Sequence, residues 1–329
     1  MKMKDLNKKD LMELLNYINE YKIEFREKID IPDYVTFGTE IEFQNVPLGE
    51  INKEIKKELN WSVKDDISVT HKKNGKIIGG EIISPILTDT KEKWEELKKI
   101  CHILKDNNAQ VSQRCGGHIH IGSNVLEKNP EYFKNFLKLW YTYEDILYRF
   151  STGEDRYIRK SAYHFAKSIR EIINNNRIRI DLIKTDSQLK TVLYHLTTDR
   201  YKSVNFSNTN GIRNRGIDTI EFRCPNGSIE ETIWQNNVNT FTKTLLYSKS
   251  DNFDQEFINF KFYEKDDCNM EYFYFMDIQR ALEFADLVFE KEIDKMNFLR
   301  QYFKDFDLDN NKKKIKKLVF FFGIIIMEG

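Results

Sequence analysis

Seven polar side chains stand inside otherwise apolar stretches of this chain. Glu40 and Glu42 alternate with Ile41 in TEIEF, and Glu81 follows Gly79-Gly80. His118 and His120 alternate with Ile119 in GGHIHIG, and Glu221 and Arg223 alternate with Phe222 in TIEFR. In an extended strand residues i and i+2 share a face, so each pair points one way. A carboxylate in a strand is expensive to desolvate unless it is paired or bound to a metal. One such strand could simply be the wet face of an antiparallel sheet. Four with the same habit, brought to one side of one curved sheet, make a funnel lined by four Glu, two His and one Arg. Hard oxygen donors with an occasional imidazole suit Mg²⁺ better than zinc, with Mn²⁺ as the alternative. Carboxylate-held magnesium beside an arginine is what nucleotide phosphates require, because the cations neutralise phosphate oxygens and Arg takes developing charge. No Walker A sequence or GxGxxG occurs, which argues against a P-loop or Rossmann site.

The elements that carry these residues follow from periodicity. Residues 5–29 read as a helix, with Leu6, Leu11, Leu14, Leu15, Ile18 and Phe25 near helical spacing. Residues 33–43 read as a strand that turns Val35, Phe37, Thr39, Ile41 and Phe43 to one face and Glu40 and Glu42 to the other. Strands are expected at 61–69 and 76–84, separated by the Asn74-Gly75 turn signal. Asp89 is expected to cap a helix running to about Asn107, striped by Trp94, Leu97, Cys101 and Leu104. A short strand at 115–122 carries the histidines, and helical patterns follow at 129–150 and 155–175. The second of these holds Arg156, Tyr157, Arg159, Lys160, Lys167 and Arg170, which read either as an anion-recognition face or as a solvated one. Strand character returns at 201–206 and 218–223, before the turn-like Cys224-Pro225-Asn226-Gly227-Ser228. Helices fill most of 230–305, with an acidic, aromatic interruption near 262–275 that includes Asp266, Asp267 and Glu271. This order predicts the α+β class.

Composition narrows the function classes. The 329 residues include 52 Lys+Arg and 52 Asp+Glu, so the net charge is zero and a generally basic nucleic-acid binder is disfavoured. An aromatic fraction of 13% argues against disorder of the whole chain. Cys101, Cys115, Cys224 and Cys268 are dispersed without CxxC spacing, as expected of reduced intracellular thiols. The N-terminus lacks the apolar core of a signal peptide. The apolar run Leu318 to Met327, behind Lys312, Lys313, Lys314, Lys316 and Lys317, is about half of the ~20 residues that span a membrane. It reads as a buried strand or partner contact, and the protein is expected to be soluble and cytoplasmic, with no membrane partner.

Five segments taken in order, FGTEIEF (37–43), GGEIISP (79–85), GGHIHIG (116–122), RYKSVNF (200–206) and TIEFRCPNGS (219–228), resemble the amidoligase family. That family lies in the carboxylate–amine ligase superfamily typified by glutamine synthetase and glutamate–cysteine ligase. The resemblance spans roughly residues 33 to 245. It implies a glutamine-synthetase-like fold, in which a curved antiparallel sheet forms a catalytic funnel backed by helices. The chain then divides into an N-terminal helix (1–32), a catalytic domain (33–250) and a helical C-terminal extension (251–329).

The activity implied is ATP- and Mg²⁺-dependent formation of an amide, peptide or isopeptide bond through an acyl phosphate. By resemblance Glu40, Glu42, Glu81, His118 and Glu221 are metal ligands, and either His118 or His120 ligates metal or contacts phosphate. Glu221, Arg223 and His120 are the catalytic set, and Arg200, Lys202, Asn205 and Arg223 contact the nucleotide. The implied partners are small-molecule or peptide acids and amines, or a protein or other macromolecular acceptor. The competing expectations are a zinc hydrolase using Cys115, His118 and His120, and an inactive ligase fold that serves as a binding module.

Overall fold

The computed structural model describes residue 3 and residues 6–197, 199–209, 212, 218–264 and 269–306. The apolar run 318–327, the basic stretch before it, Asp266, Asp267 and Cys268 lie outside the described residues. Among the described residues, seven strands form one open antiparallel sheet: β1 (Phe37–Pro47), β2 (Ser62–Lys64), β3 (His71–Lys73), β4 (Lys76–Ile83), β5 (Gly117–Gly122), β6 (Val204–Asn205) and β7 (Thr219–Phe222). Their spatial order is β2-β4-β1-β5-β7-β6, with β3 also paired to β4. Twelve α-helices are found among the described residues: α1 (Lys8–Glu20), α2 (Leu48–Glu58), α3 (Lys91–Asp106), α4 (Pro130–Ser151), α5 (Ala162–Phe165), α6 (Arg170–Asn174), α7 (Arg177–Asp181), α8 (Asp186–Leu196), α9 (Glu231–Ser248), α10 (Gln255–Glu264), α11 (Ile278–Val288) and α12 (Glu292–Tyr302). Sheet and helices together give the expected mixed α+β class. No helix among the described residues is long and apolar enough to cross a membrane.

Strict alternation divides the sheet into two faces. Ile41, Ile82, Ile119, Ile121, Ile220 and Phe222 are fully buried on one of them. Phe37 stacks on Trp94 of α3 at 4.8 Å between ring centroids. Phe222 lies parallel to Phe241 of α9 at 4.5 Å and touches Trp140 and Phe136 of α4. Three helices thus cover the back of the sheet with aromatic rings. Gly117 is needed for this closeness, since a Cβ there would stand 2.8 Å from the Trp234 ring.

Several elements are shorter than their patterns suggest, each for a tertiary reason. Helix α1 ends at Glu20, not near 29, because the following segment is captured by other elements. Gln235 exchanges two hydrogen bonds with the Arg26 backbone, and the Ile29 and Ile31 amides donate to Asp89. Asp89 is therefore a loop clamp, which also accepts from Trp94 Nε1, while Thr90 caps α3. The strand expected at 61–69 shrinks to β2, because the backbone turns at Asp66. The helix expected at 155–175 breaks into α5 and α6. In the C-terminal helices, the fully buried Asp294 of α12 gathers Arg26, Asn239 and Lys243, joining the chain's early segment, α9 and α12.

Truncating Phe222 to Ala removes the ring on which both α4 and α9 rest. A stability loss of about 3–5 kcal/mol in denaturant titration is expected. A loss below about 1 kcal/mol would show that the aromatic layer is not what supports the sheet.

Candidate active site

Register decides which polar residues meet. Glu40 stands opposite His118, Glu42 opposite Glu81, His120 opposite Glu221, and Glu221 opposite Asn205. Residues directly opposed in a sheet share a face, so all four strand motifs put their polar members on one side. Glu40 is the centre: His118 Nδ1 lies 2.8 Å from one of its oxygens and His120 Nε2 lies 3.1 Å from the other. Glu42 accepts a hydrogen bond from the Gly116 amide at 2.6 Å and lies 3.9 Å from His118 Nε2. Glu221 accepts from Asn205 Nδ2 at 2.7 Å and pairs with Arg223, whose Nε donates to the Phe165 carbonyl at 3.1 Å.

Three overlapping groups could hold a cation: Glu40–His120–Glu221, Glu40–Glu81–His118 and Glu42–Asp66–Glu81. In each, one donor atom per residue lies within 4.8 Å of the others. Shared members make them one continuous band. Two of them combine carboxylates with one imidazole and the third is all carboxylate, donor sets that fit a hard divalent cation such as Mg²⁺ or Mn²⁺.

Electrostatics agree with such a donor set. Burial and the charges of Glu40, Glu42 and Asp66 push the Glu81 carboxyl up to about 8. Burial also disfavours an ionised Glu40, but the hydrogen bonds of His118 and His120 outweigh it and hold this carboxyl well below the usual range. Glu221 is likewise lowered against its burial, by Arg223, His120 and His118. Burial opposes a charged His120, yet Glu40 and Glu221 raise its pKa. Glu81 and His120 are therefore both biased towards their protonated forms, and a bound divalent cation would compete with those protons.

Glu40, His120, Glu221, Arg223, Arg200, Asn205, Ser207 and Asn208 line a cavity of about 180 Å³. Glu42, Glu81 and His118 continue the band beside it. Lys202 does not line the cavity; its ammonium lies 3.8 Å from Asp199. Arg156, Lys160 and Lys167 are exposed, whereas Arg159 and Arg170 are buried. Arg159 donates to the carbonyls of Arg223 and Pro225, clamping the exit of β7. It lies against Gly116, where a Cβ would stand 2.8 Å from Nη2. Cys115 is buried, with its thiol pushed up to about 11 chiefly by that burial, and joins none of the cation groups.

Sequence reasoning missed two residues. Asp66 enters the band from the turn after β2, and its only local signal is the acidic Asp65-Asp66 pair interrupting the 61–69 stretch. Glu144 is buried in α4 and accepts from the Ile169 amide, Trp140 Nε1 and the hydroxyls of Ser168 and Ser203. The Ser203 carbonyl in turn accepts the Arg223 amide at 2.8 Å. No local pattern distinguishes Glu144 from any other helical glutamate.

An antiparallel sheet with carboxylates, paired imidazoles and a guanidinium on one face, and an aromatic layer on the other, defines a protein built around a polar sheet surface. The family described as "Putative amidoligase enzyme" matches residues 33–245, from the approach to β1 through most of α9, and the chain belongs to that family. Membership points to an enzyme of ligase type. A comparison with curated proteins gave no match.

The raised Glu81 and His120 have a measurable consequence in the metal-free protein. Each binds in the folded state a proton that the unfolded chain releases earlier, at its ordinary value of 4.5 or 6.5. Stability in EDTA should therefore fall as pH climbs from about 5 towards 8. Glu81→Gln should flatten much of that slope in denaturant titrations. An unchanged slope would mean that Glu81 ionises normally.

Proposed function

We propose that the protein is an ATP- and magnesium-dependent ligase that joins a carboxylate to an amine through an acyl phosphate, with the polar sheet face as its glutamine-synthetase-like funnel. The observation that carries this reading is the continuous band from Asp66 to Glu221, ending at Arg223 on a cavity wall, in a chain of this family. Magnesium, or manganese in its place, would be held by Glu40, Glu42, Glu81, His118 and Glu221 and would neutralise phosphate oxygens.

Arg200 and Asn205 bind the nucleotide's phosphates from the β6 side of the cavity. A substrate carboxylate oxygen attacks the γ-phosphorus; the bond to the bridging oxygen breaks and ADP leaves. Arg223, held by Glu221 and the Phe165 carbonyl, stabilises charge on the phosphoryl group in flight. His120, whose Nε2 is engaged by Glu40, lines the same cavity and supplies positive charge beside those oxygens. The amine then attacks the acyl carbon, loses a proton and expels inorganic phosphate. The acid and amine are small molecules or peptides, or one is carried on a macromolecule. The need for ATP fits a cytoplasmic setting.

The test is incubation of the protein with Mg·ATP and libraries of acids and amines. Both ADP release and a product lighter than the summed substrates by one water are expected. Glu40→Gln and Arg223→Ala should each lower kcat by about 10²–10³-fold with the fold intact by circular dichroism. Absence of ATP turnover with every acid–amine pool would sink the reading.

A further inference from the structure

The cavity beside Arg223 holds about 180 Å³, whereas a pocket for a complete drug-sized ligand holds about 300–1,000 Å³. A nucleoside triphosphate whose phosphates reach Arg223 would extend beyond this volume, with its base outside it. Two aromatic residues lie next to Arg223, just beyond the residues that line the cavity. Phe165 ends α5; its carbonyl accepts from Arg223 Nε, and the residue is 37% exposed. The Tyr201 ring meets it at 5.3 Å and 74°. Two cavity-lining guanidiniums flank that tyrosine, Arg200 at 5.0 Å and Arg223 at 5.9 Å from its centroid.

The platform is fixed to the cavity by main-chain bonds. The Lys167 amide donates to the Tyr201 carbonyl at 2.8 Å, and the Ser203 amide donates to the Lys167 carbonyl at 2.7 Å. Two residues further on, Asn205 is held by Glu221. Phe165 is thus a large apolar ring left partly open to water, one side chain away from the arginine that would meet the phosphates. Such a ring offers a planar group a surface that needs no rearrangement to receive it.

We infer that Phe165 is the stacking platform for the nucleotide base, with Tyr201 closing one side at a steep angle. The inference rests on the nucleotide reading above and adds a base subsite to it. Stacking tolerates any base, because every base has a π-face, so ATP and GTP should bind within a few-fold of each other.

The experiment is calorimetric titration of the full chain with Mg·ATP and, separately, with magnesium and inorganic tripolyphosphate, which has the phosphates but no base. Phe165→Ala should weaken ATP about tenfold, within the range of base–aromatic stacking, and change tripolyphosphate less than about twofold. Phe165→Trp should restore ATP affinity, and its added emission should be quenched by ATP but not by tripolyphosphate. Equal effects of Phe165→Ala on both ligands, or none on either, overturn the platform while leaving the nucleotide reading intact. If the alanine variant fails to fold, an unquenched Phe165→Trp with ATP bound overturns it instead. A wild-type chain that binds neither ligand overturns the nucleotide reading itself, and the base subsite with it.

Discussion

Glu40, Glu42, Glu81 and Glu221 crowd like charge onto one face of a sheet whose other face is sealed from water, and the architecture is arranged around that cost. Two like charges about 4 Å apart repel by roughly 4 kcal/mol at an effective dielectric constant near 20. The structure relieves this in three local ways. Two imidazoles flank Glu40, Arg223 and Asn205 serve Glu221, and the Gly116 amide serves Glu42. Glu81 receives none of these and is left with a raised pKa. The local compensation is therefore incomplete in the chain by itself.

Holding such a face together requires a stiff support, and the aromatic layer supplies it. Phe222 is the residue between Glu221 and Arg223, so the ring wedged against Phe241 and Trp140 sets the position of both polar neighbours. Trp234 fills the space that Gly117 leaves empty, directly before His118. The same strand alternation thus produces the hydrophobic contact and the polar site. Behind the arginine wall, buried Glu144 and Arg159 act through backbone groups: Glu144 by way of Ser203, and Arg159 by gripping the carbonyls of Arg223 and Pro225. The CPNGS turn is held both by this grip and by the Gly227 amide, which donates to the Cys115 carbonyl.

The basic residues between 155 and 175 divide into two populations with different physics. Arg159 and Arg170 are internal, their guanidiniums satisfied largely by carbonyls and, for Arg170, by Asp145. Arg156, Lys160 and Lys167 stay in water. A single periodic helix would have left all of them outside. Breaking it into α5 and α6 lets Arg159 turn inward and brings the carbonyl of Phe165 to Arg223.

Strand alternation in TEIEF, GHIHI and TIEF was legible because a period of two is a local property, and burying one face of each strand follows from it. The helices α3 and α4 were legible for the same reason at a period of 3.6. Those patterns determined the seven polar side chains and the family resemblance. They did not determine that Glu40 faces two histidines nearly eighty residues away, which is a matter of strand register. Nor could they reveal Asp66, Glu144 or the inward Arg159, whose partners are distant in sequence and whose local surroundings look like ordinary turns and helices. Composition and spacing set which groups could do chemistry. The tertiary structure alone decided which of them share one low-dielectric face, because charge interactions depend on separation in space and the chain order does not encode it.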